Sequence, residues 1–265
     1  MKKFFVIGKP IKHSLSPTLH NYWFKKHKIE SVYEKREINE KDIQNLIDDI
    51  RDKKIEGLNI TIPYKKTFIP FLDKITLEAE KTQSVNTVYL KNKKIVGHNT
   101  DIEGFEISIK RSEYDIENKK VLILGGGGVV PSIIYALKKM NVSKILVSNR
   151  TKNKALNLKK LFNNLHIVDW GEIPNFDVVI NATSVGLKKE DVLDLKFSET
   201  LTNKFFYDVI YNPVETNFLK IGKKNGNLTM NGKMMFIYQA SAAFKVWHGI
   251  EPQIDSNILK LLEND

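Results

Sequence analysis

Apolar and polar positions in the first half of the chain follow two periods, which predict strands alternating with helices. The apolar run KFFVI at residues 3–7 predicts a buried strand, and SLSPTLHNYWFKKHK predicts a helix with Ser16 as N-cap and Pro17 at its first position. A second strand is predicted over residues 32–38 and a helix over residues 39–53. This repeated order of β then α favours an open α/β layer.

The segment GLNITIP predicts a strand that ends at Pro63, because proline cannot donate a hydrogen bond to a sheet. Its alternation places Asn59 and Thr61 on one face of that strand. Beyond the proline we expect Lys65 to turn into a crevice, whereas Lys66 is expected to be an ordinary solvated lysine.

Two short helices are predicted next, one directly after this strand and one over residues 76–82, followed by a β-hairpin that turns near Asn92. From Lys119 the pattern changes. The segment KKVLILGGGGVVPSIIYALKKMNVSKILVSNRT predicts a strand, a glycine loop, a helix and a second strand, a βαβ unit of the length that binds dinucleotides. Further strands are predicted in FDVVINAT and KFFYDVIY, and the tail from about Asn231 predicts two helices with a break at residues 249–252.

The glycine loop follows a fully apolar strand and precedes a helix, so its backbone amides and the helix N-terminus can meet a pyrophosphate. Val130 replaces the usual third small residue, and Pro131 lies in the first helical turn, where its missing N–H is tolerated. About twenty residues on, an NAD site would offer an acidic residue. Arg150 stands there instead, and its planar guanidinium favours the 2′-phosphate of NADP over the alternative of an exposed helix-start residue. Lys154 adds positive charge one helical turn further.

Charge and composition narrow the possible partners. The formal net charge is +11, but the 42 basic residues are interleaved with 31 acidic ones and only four are arginine, which argues against a nucleic-acid partner. The absence of cysteine excludes disulfides and thiolate chemistry, and the six histidines show no metal-ligand spacing, so no metal is expected. The short N-terminal apolar run and the lack of any membrane-spanning segment predict a cytoplasmic protein without a membrane partner.

Polar side chains collect where the predicted strands of the first half end. The carboxyl ends of strands in an open α/β sheet form the ligand crevice, and this set suits a small polyhydroxylated acid. Taken singly, the serines, the asparagines and Asp101 also fit turn or helix-cap roles. The residues concerned are Ser14, Ser16, Asn59, Thr61, Lys65, Asn86, Thr87, Asn99, Thr100 and Asp101.

Eight segments of the chain resemble, in order, those of the shikimate dehydrogenases. They are VIGKPIKHSLSPTLHN, NITIPYK, SVNT and GHNTD in the first half, and NRT, NATSVGL, YDVIYNP and NGKMMFIYQASAAFKVW in the second. The resemblance implies an α/β fold in two lobes. An N-terminal open α/β substrate-binding domain over residues 1–101 would be completed by C-terminal helices in 237–265, and a Rossmann-type NADP-binding domain would occupy residues 102–236. The glycine loop with Gly126 and residues 129–131 departs from the family's pattern, as do Gln83 and Ser84.

The resemblance implies NADP-dependent, reversible reduction of 3-dehydroshikimate to shikimate, in which Lys65 and Asp101 correspond to the catalytic pair. The implied substrate ligands are Ser14, Ser16, Asn59, Thr61, Asn86, Tyr211 and Gln239. The cofactor ligands expected from the glycine loop and the resemblance together are Gly125, Gly126, Gly127, Gly128, Val129, Asn149, Arg150, Thr151, Lys154, Thr183, Val209 and Gly232.

Two other functions stay open at this point. One is a broader quinate/shikimate enzyme that uses NAD, and the other is a non-catalytic ligand sensor on the same scaffold. The pair Ser14 and Ser16 together with Arg150 favours the NADP enzyme, and the intact Lys65 and Asp101 count against a sensor. The expected partner is a small-molecule substrate, and the expected assembly is a monomer or a homodimer.

Overall fold

The computed structural model describes residues 1–188, 190–198 and 200–262, which divide into two compact units. The first unit comprises Met1–Gly104 with residues 237–262, and the second unit comprises Phe105–Phe236. The predicted C-terminal range 237–265 includes residues 263–265, which lie outside the described part of the chain.

The N-terminal part of the first unit alternates strands and short helices. In chain order its elements are β1 (Lys2–Gly8), α1 (Ser16–Lys26), β2 (Ser31–Glu37), α2 (Ile43–Arg51), β3 (Gly57–Ile60), β4 (Lys74–Ile75), α3 (Leu77–Thr82), β5 (Thr87–Lys91), β6 (Lys94–His98) and α4 (Asp101–Arg111).

These strands form one sheet in the order β2-β1-β3-β5-β6-β4. β1 is parallel to β2 and β3, whereas β5 is antiparallel to both β3 and β6. The residues that follow β1, β3 and β6 therefore meet the residues that precede β5 at one edge of the sheet. The predicted hairpin is confirmed, with Asn92 and Lys93 in its turn at positive φ.

Several predicted boundaries differ from the structure. The prediction of Ser16 as N-cap is wrong, because α1 begins at Ser16 and Leu15 holds the cap position, with Pro17 in the first turn. The strand GLNITIP ends at Ile60 rather than at Pro63. The chain already turns at Thr61, whose carbonyl accepts from the Tyr64 N–H at 3.0 Å.

Two of the predicted helices also differ from the structure. Instead of one helix over residues 39–53, a 3₁₀ turn at Glu40–Asp42 leads into α2, whose buried face is formed by Ile43, Leu46, Ile47 and Ile50. The helix expected after Pro63 is a set of turns that leads to a 3₁₀ segment at Ile69–Phe71.

The second unit contains a six-stranded sheet with helices between its strands. Its elements are β7 (Lys120–Leu124), α5 (Val130–Lys139), β8 (Lys144–Ser148), α6 (Lys152–Leu161), β9 (Leu165–Val168), β10 (Val178–Asn181), β11 (Phe205–Asp208), α7 (Asn217–Lys224) and β12 (Leu228–Met230).

All neighbouring strands in this sheet are parallel, in the order β12-β11-β10-β7-β8-β9. This is the doubly wound Rossmann order, and the predicted fold class is confirmed. The order reverses between β7 and β10, so their carboxyl ends form the switch point at which such sheets bind ligands.

The two C-terminal helices are present as predicted, as α8 (Lys233–His248) and α9 (Ser256–Leu261). The division between the units falls within α4 and within α8. α9 is joined to α1 by Asp255, which caps α9 through the Ile258 N–H and accepts from Tyr22 Oη at 2.9 Å and from Lys26 Nζ at 2.8 Å. Among the residues that the structure describes, no helix is long and apolar enough to span a membrane.

Candidate active site

Lys65 and Asp101 form a buried ion pair in the first unit. Lys65 Nζ donates to Asp101 Oδ2, and the two side chains are only 12% and 8% exposed. The turn after β3 places the lysine: its carbonyl accepts from the Val85 N–H at 2.8 Å, and the neighbouring Tyr64 is buried. Because isolated charges are costly to bury, the two side chains are held as one pair. Lys66 is exposed, as predicted.

Asn86 contacts the carboxylate of Asp101 from the other side, and Asn99 binds the Asp101 backbone. Asn86 Nδ2 donates to Asp101 Oδ1 at 2.9 Å and to Thr100 Oγ1 at 3.0 Å. Asn86 Oδ1 accepts from the Thr100 N–H at 2.8 Å, and the Asp101 N–H donates to Asn99 Oδ1 at 3.1 Å. One carboxylate oxygen of Asp101 therefore faces Asn86 and the other faces Lys65, which sets the rotation of the group.

Asn59 lies opposite Thr87 in the antiparallel pairing of β3 with β5. Its Nδ2 donates to Thr87 Oγ1 at 3.1 Å and to the Asn86 carbonyl at 3.0 Å, and its Oδ1 accepts from the Tyr33 hydroxyl at 2.7 Å. Both amide protons are thus committed, whereas an amide oxygen accepts two hydrogen bonds. The remaining capacity of Asn59 is to accept from a ligand hydroxyl.

The serine pair lies at the start of α1. Ser14 Oγ donates to Ser16 Oγ at 3.2 Å and accepts from the Ser16 N–H at 3.3 Å. The buried Ser16 hydroxyl is also hydrogen-bonded to Tyr33, so the tyrosine links the serines to Asn59. These contacts occupy the Ser16 hydroxyl, which the sequence pattern assigns to capping α1.

The other predicted substrate ligands lie in different places. Thr61 follows β3, and its N–H donates to the Ile7 carbonyl at 2.9 Å. Tyr211 lies in the second unit, where its ring stacks on Phe236 at 4.5 Å between centroids. In the first unit, hydrogen bonds that run through Tyr33 and Asn86 connect Ser14, Ser16, Asn59, Lys65, Asn86, Asp101 and Gln239.

The glycine loop occupies the switch point of the second unit. Gly125 has a φ of +120°, and a Cβ there would lie 2.7 Å from the Ala182 carbonyl oxygen, so only glycine fits. A Cβ on the exposed Gly127 would meet its nearest atom at 4.0 Å. The backbone at Gly127 is therefore accessible to a ligand at the start of α5.

The loop between β8 and α6 packs against this glycine loop. A Cβ on Gly126 would lie 3.0 Å from the Lys154 Cβ and 3.4 Å from the Asn149 side-chain carbon, which brings the two loops together. Arg150 and Lys154 are exposed, and no ion pair to either of them is present in the described part of the chain. Thr151 is also exposed, and its carbonyl accepts from Asn149 Nδ2 at 2.8 Å. The uncompensated positive charge of Arg150 and Lys154 suits a phosphate group.

The remaining predicted cofactor residues lie at the ends of β10, β11 and β12. The Thr183 hydroxyl donates to Asn181 Oδ1 at 2.8 Å. A Cβ on Gly232 would lie 2.1 Å from the Val209 carbonyl oxygen, so this glycine allows the loop after β12 to approach the end of β11. The carboxyl ends of adjacent strands bring these residues to one edge of the sheet.

Tyr33 belongs to the site but was not predicted from the sequence. It is the one fully buried residue of β2, and it connects Ser16 to Asn59. A buried tyrosine hydroxyl usually has a hydrogen-bond partner, so its inward position in an otherwise polar strand was a usable signal. Thr87 and Thr100 were noted at strand ends, but their contacts with Asn59 and Asn86 depend on register.

Two family models match the chain, the shikimate dehydrogenase substrate binding domain over residues 6–88 and shikimate / quinate 5-dehydrogenase over residues 107–220. The chain is also 58% identical over 262 residues to the shikimate dehydrogenase (NADP(+)) of Pelagibacter ubique, with 99% of each chain covered. The chain belongs to the shikimate dehydrogenase family.

Solved structures of this family have the same fold. The shikimate dehydrogenase of Aquifex aeolicus is similar with a TM-score of 0.89 and 35% identity, over 100% of this chain and 98% of that one. The Thermus thermophilus shikimate 5-dehydrogenase, solved in complex with NADP(H) and shikimate, has a TM-score of 0.89 and 29% identity, over 100% and 99% of the two chains.

The departures from the family pattern are accommodated locally. Val130 is fully buried at the start of α5, with Pro131 in the same turn. Gln83 ends α3 with a φ of +48°, in the left-handed region that favours glycine, and its Nε2 donates to the Glu80 carbonyl at 2.8 Å. The buried Ser84 follows it. Both departures lie at helix ends, the first at the start of α5 and the second at the end of α3.

Proposed function

We propose that this chain catalyses the reversible oxidation of shikimate to 3-dehydroshikimate with NADP as the hydride acceptor. The observation that carries the proposal is the buried Lys65–Asp101 pair, which Asn86 holds in one hydrogen-bonded network with Asn59 and Ser16. The similarity to the NADP(+) shikimate dehydrogenase of Pelagibacter, and to the Thermus enzyme solved with NADP(H) and shikimate, supports the choice of substrate and cofactor.

Lys65 moves the proton in this reaction. Oxidation removes a proton from the substrate hydroxyl while a hydride leaves its carbon, so a neutral Lys65 amine accepts that proton. In the reductive direction the Lys65 ammonium donates it to the ketone oxygen. Asp101 orients Lys65, and its carboxylate has lone pairs left to accept a hydrogen bond from the reacting hydroxyl.

The polar network positions the rest of the substrate. The hydroxyls of Ser14 and Ser16 bind its carboxylate by rotating their protons from their present partners toward the ligand, because hydroxyl donors suit an anionic acceptor. Tyr211 of the second unit is a further proposed substrate ligand. The ring hydroxyls are held by Asn59, Thr61, Asn86 and Gln239.

NADP fits the residues of the second unit. Gly127 and Gly128 expose backbone where a pyrophosphate would lie, and Arg150 and Lys154 supply positive charge beside that loop. When bound, NADP supplies the hydride chemistry, and the protein supplies binding and orientation. Cofactor contacts are further assigned to Gly125, Gly126, Val129, Asn149, Thr151, Thr183, Val209 and Gly232.

The proposed roles divide along the chain as the sequence predicts. We assign substrate binding to the first unit and NADP binding to the second, which correspond to the predicted domains of residues 1–101 with 237–265 and of residues 102–236. A cytoplasmic location and a monomeric or homodimeric state stay predictions.

Initial rates measured with shikimate or quinate, each paired with NADP or NAD, test the proposal. We expect shikimate with NADP to give the highest kcat/KM of the four pairs. NADP should exceed NAD by about tenfold or more with either acid, since one charge-assisted arginine–phosphate contact is worth that much. Equal or faster turnover of quinate with NAD would replace the proposal with the broader enzyme. Binding of shikimate and NADP without turnover would replace it with the ligand sensor.

A further inference from the structure

A buried carboxylate outside the proposed catalytic pair lies at the cofactor edge of the second unit. Asp208 and Asn181 are the last residues of β11 and β10, and they are direct partners in the parallel register. Both side chains are fully buried. In the described part of the chain no basic side chain pairs with Asp208, and burial raises its pKa to about 6 from 3.8. A carboxylate in this setting needs several neutral donors.

Four hydrogen bonds supply them. Thr216 Oγ1 donates to Asp208 Oδ2 at 2.6 Å, and the Ile210 N–H donates to Oδ1 at 3.0 Å. Asn181 Nδ2 donates to both carboxylate oxygens, at 3.2 and 3.1 Å. Asp208 is therefore the common acceptor for the end of β10 and for the loop that follows β11.

The carboxylate dictates how the Asn181 amide is turned. An ionised carboxylate only accepts, so Asn181 must present its Nδ2 to Asp208 and its Oδ1 to the other side. There Oδ1 accepts from the Thr183 N–H at 3.1 Å and from the Thr183 hydroxyl at 2.8 Å. The Thr183 Oγ1 in turn accepts from the Val185 N–H at 3.0 Å. Asn181 Nδ2 also donates to the Val185 carbonyl at 3.1 Å, so the loop after β10 is held through Asn181, and Asp208 contributes to the orientation of that amide.

A second branch reaches the loop after β11. Besides bonding Asp208, Thr216 caps α7, because its Oγ1 accepts from the Leu219 N–H at 3.3 Å. The Ile210 carbonyl accepts from the Gly232 N–H at 3.0 Å. Asp208 therefore holds the loop after β11 at two points, Ile210 and Thr216. Through Ile210, this loop, which begins at Val209, is also held at a fixed distance from Gly232.

We propose that Asp208 is a positioning residue for the cofactor site. It holds the loops that carry Thr183 and Val209 in their binding conformation. The proposal rests on the proposed function, since it assumes that these two residues face NADP. Asp208 itself has no contact with the reacting atoms, and its effect passes through Asn181 and Ile210.

The test compares Asp208→Asn with Asp177→Asn. Asp177 is the matched control, since it precedes β10 at the opposite end of the strands and accepts from the Lys120 N–H at 2.8 Å. Binding of NADP alone and of shikimate alone is measured by calorimetry. We expect Asp208→Asn to raise the Kd for NADP by about tenfold, the equivalent of losing one charge-assisted hydrogen bond, with the shikimate Kd unchanged. An unchanged NADP Kd, or equal losses in both variants, would overturn the proposal.

Amide hydrogen exchange of the ligand-free protein separates this proposal from the proposed function. We expect faster exchange over residues 181–186 and 209–216 in Asp208→Asn but not in Asp177→Asn. If wild-type protein binds no NADP, the proposed function fails, and unchanged exchange would independently overturn the positioning role. Thr216→Val and Thr216→Ser serve if Asp208→Asn does not fold. Valine should weaken NADP binding and loosen the same segments, whereas serine, which keeps the hydroxyl, should restore both; equal behaviour of the two would contradict the proposal.

Discussion

His20 is a buried histidine whose protonation should destabilise the first unit. Its ring stacks on Tyr33 with centroids 4.3 Å apart and an interplanar angle of 5°, and neither ring nitrogen has a hydrogen-bond partner in the described part of the chain. Burial, with a smaller contribution from the nearby His248, lowers its pKa from 6.5 to about 3. Burial, Lys2 and His27 lower the pKa of His248 to about 4.

The sign follows from the unfolded state. Below pH 6.5 the unfolded chain binds a proton at His20 that the native state does not, so stability is complete above that pH and falls as the pH drops toward 3. One pKa unit is worth ~1.36 kcal/mol, so the loss from His20 is about 2 kcal/mol at pH 5 and about 4 kcal/mol at pH 3. His248 acts in the same direction. A domain stable by roughly 5–15 kcal/mol loses a large fraction of its stability this way.

Urea unfolding between about pH 7 and pH 5 measures this effect, followed by tryptophan fluorescence, to which Trp23 and Trp247 of the first unit and Trp170 of the second contribute. His20→Phe is the comparison, because it keeps an aromatic ring on Tyr33 and removes the titrating group. The free-energy cost of repacking in this variant is the same at every pH. The pH dependence of stability that Asp208 contributes is the same in both proteins, so it cancels in the comparison. We expect the wild type to lose about 2 kcal/mol more than the variant over this range. Parallel pH dependence, or an NMR titration of His20 near 6.5, would refute the reasoning.

Three further substitutions probe the fold and the cofactor site. Asp255→Ala removes the cap of α9 and the partner of Lys26, and should lower the unfolding free energy in urea by about 1 kcal/mol, whereas an unchanged midpoint would show that this contact is not stabilising. Arg150→Ala should raise the KM for NADP about tenfold and leave that for NAD unchanged, so equal losses for both cofactors would remove Arg150 from the phosphate site. Gly232→Ala would place a Cβ against the Val209 carbonyl and should cost about 1–3 kcal/mol in thermal unfolding, and a wild-type melting temperature would contradict that steric argument.

The elements that the sequence predicted best depend on local pattern. The strand, glycine loop and helix from Lys120 to Lys139 were expected because a fully apolar run, a set of glycines and an amphipathic helix occur in immediate succession. The turn at Asn92 was likewise expected from local pattern, because two strand-like segments flank it directly. In each case the physical cause lies within a few residues of its effect.

The elements that the sequence missed depend on contacts between distant residues. Local capping rules assign the Ser16 hydroxyl to its own helix, but Tyr33, on the next strand, engages it instead. The antiparallel register that sets Asn59 opposite Thr87 decides where the Asn59 amide points, and no local pattern encodes that register. The hydrogen bonds between Asn181 and Asp208 likewise depend on the pairing of β10 with β11.

The central claim is that Lys65, paired with Asp101, transfers the proton in shikimate oxidation. Its most direct test is the rate of NADP reduction by shikimate in Lys65→Ala beside Lys66→Ala, the exposed neighbour, with shikimate binding measured by calorimetry in both. Because the Lys65 interaction matters chiefly in the transition state, we expect Lys65→Ala to lose about 100-fold or more in kcat with a shikimate Kd within about threefold of wild type. Lys66→Ala should retain wild-type turnover. Near-normal kcat in Lys65→Ala would contradict the claim.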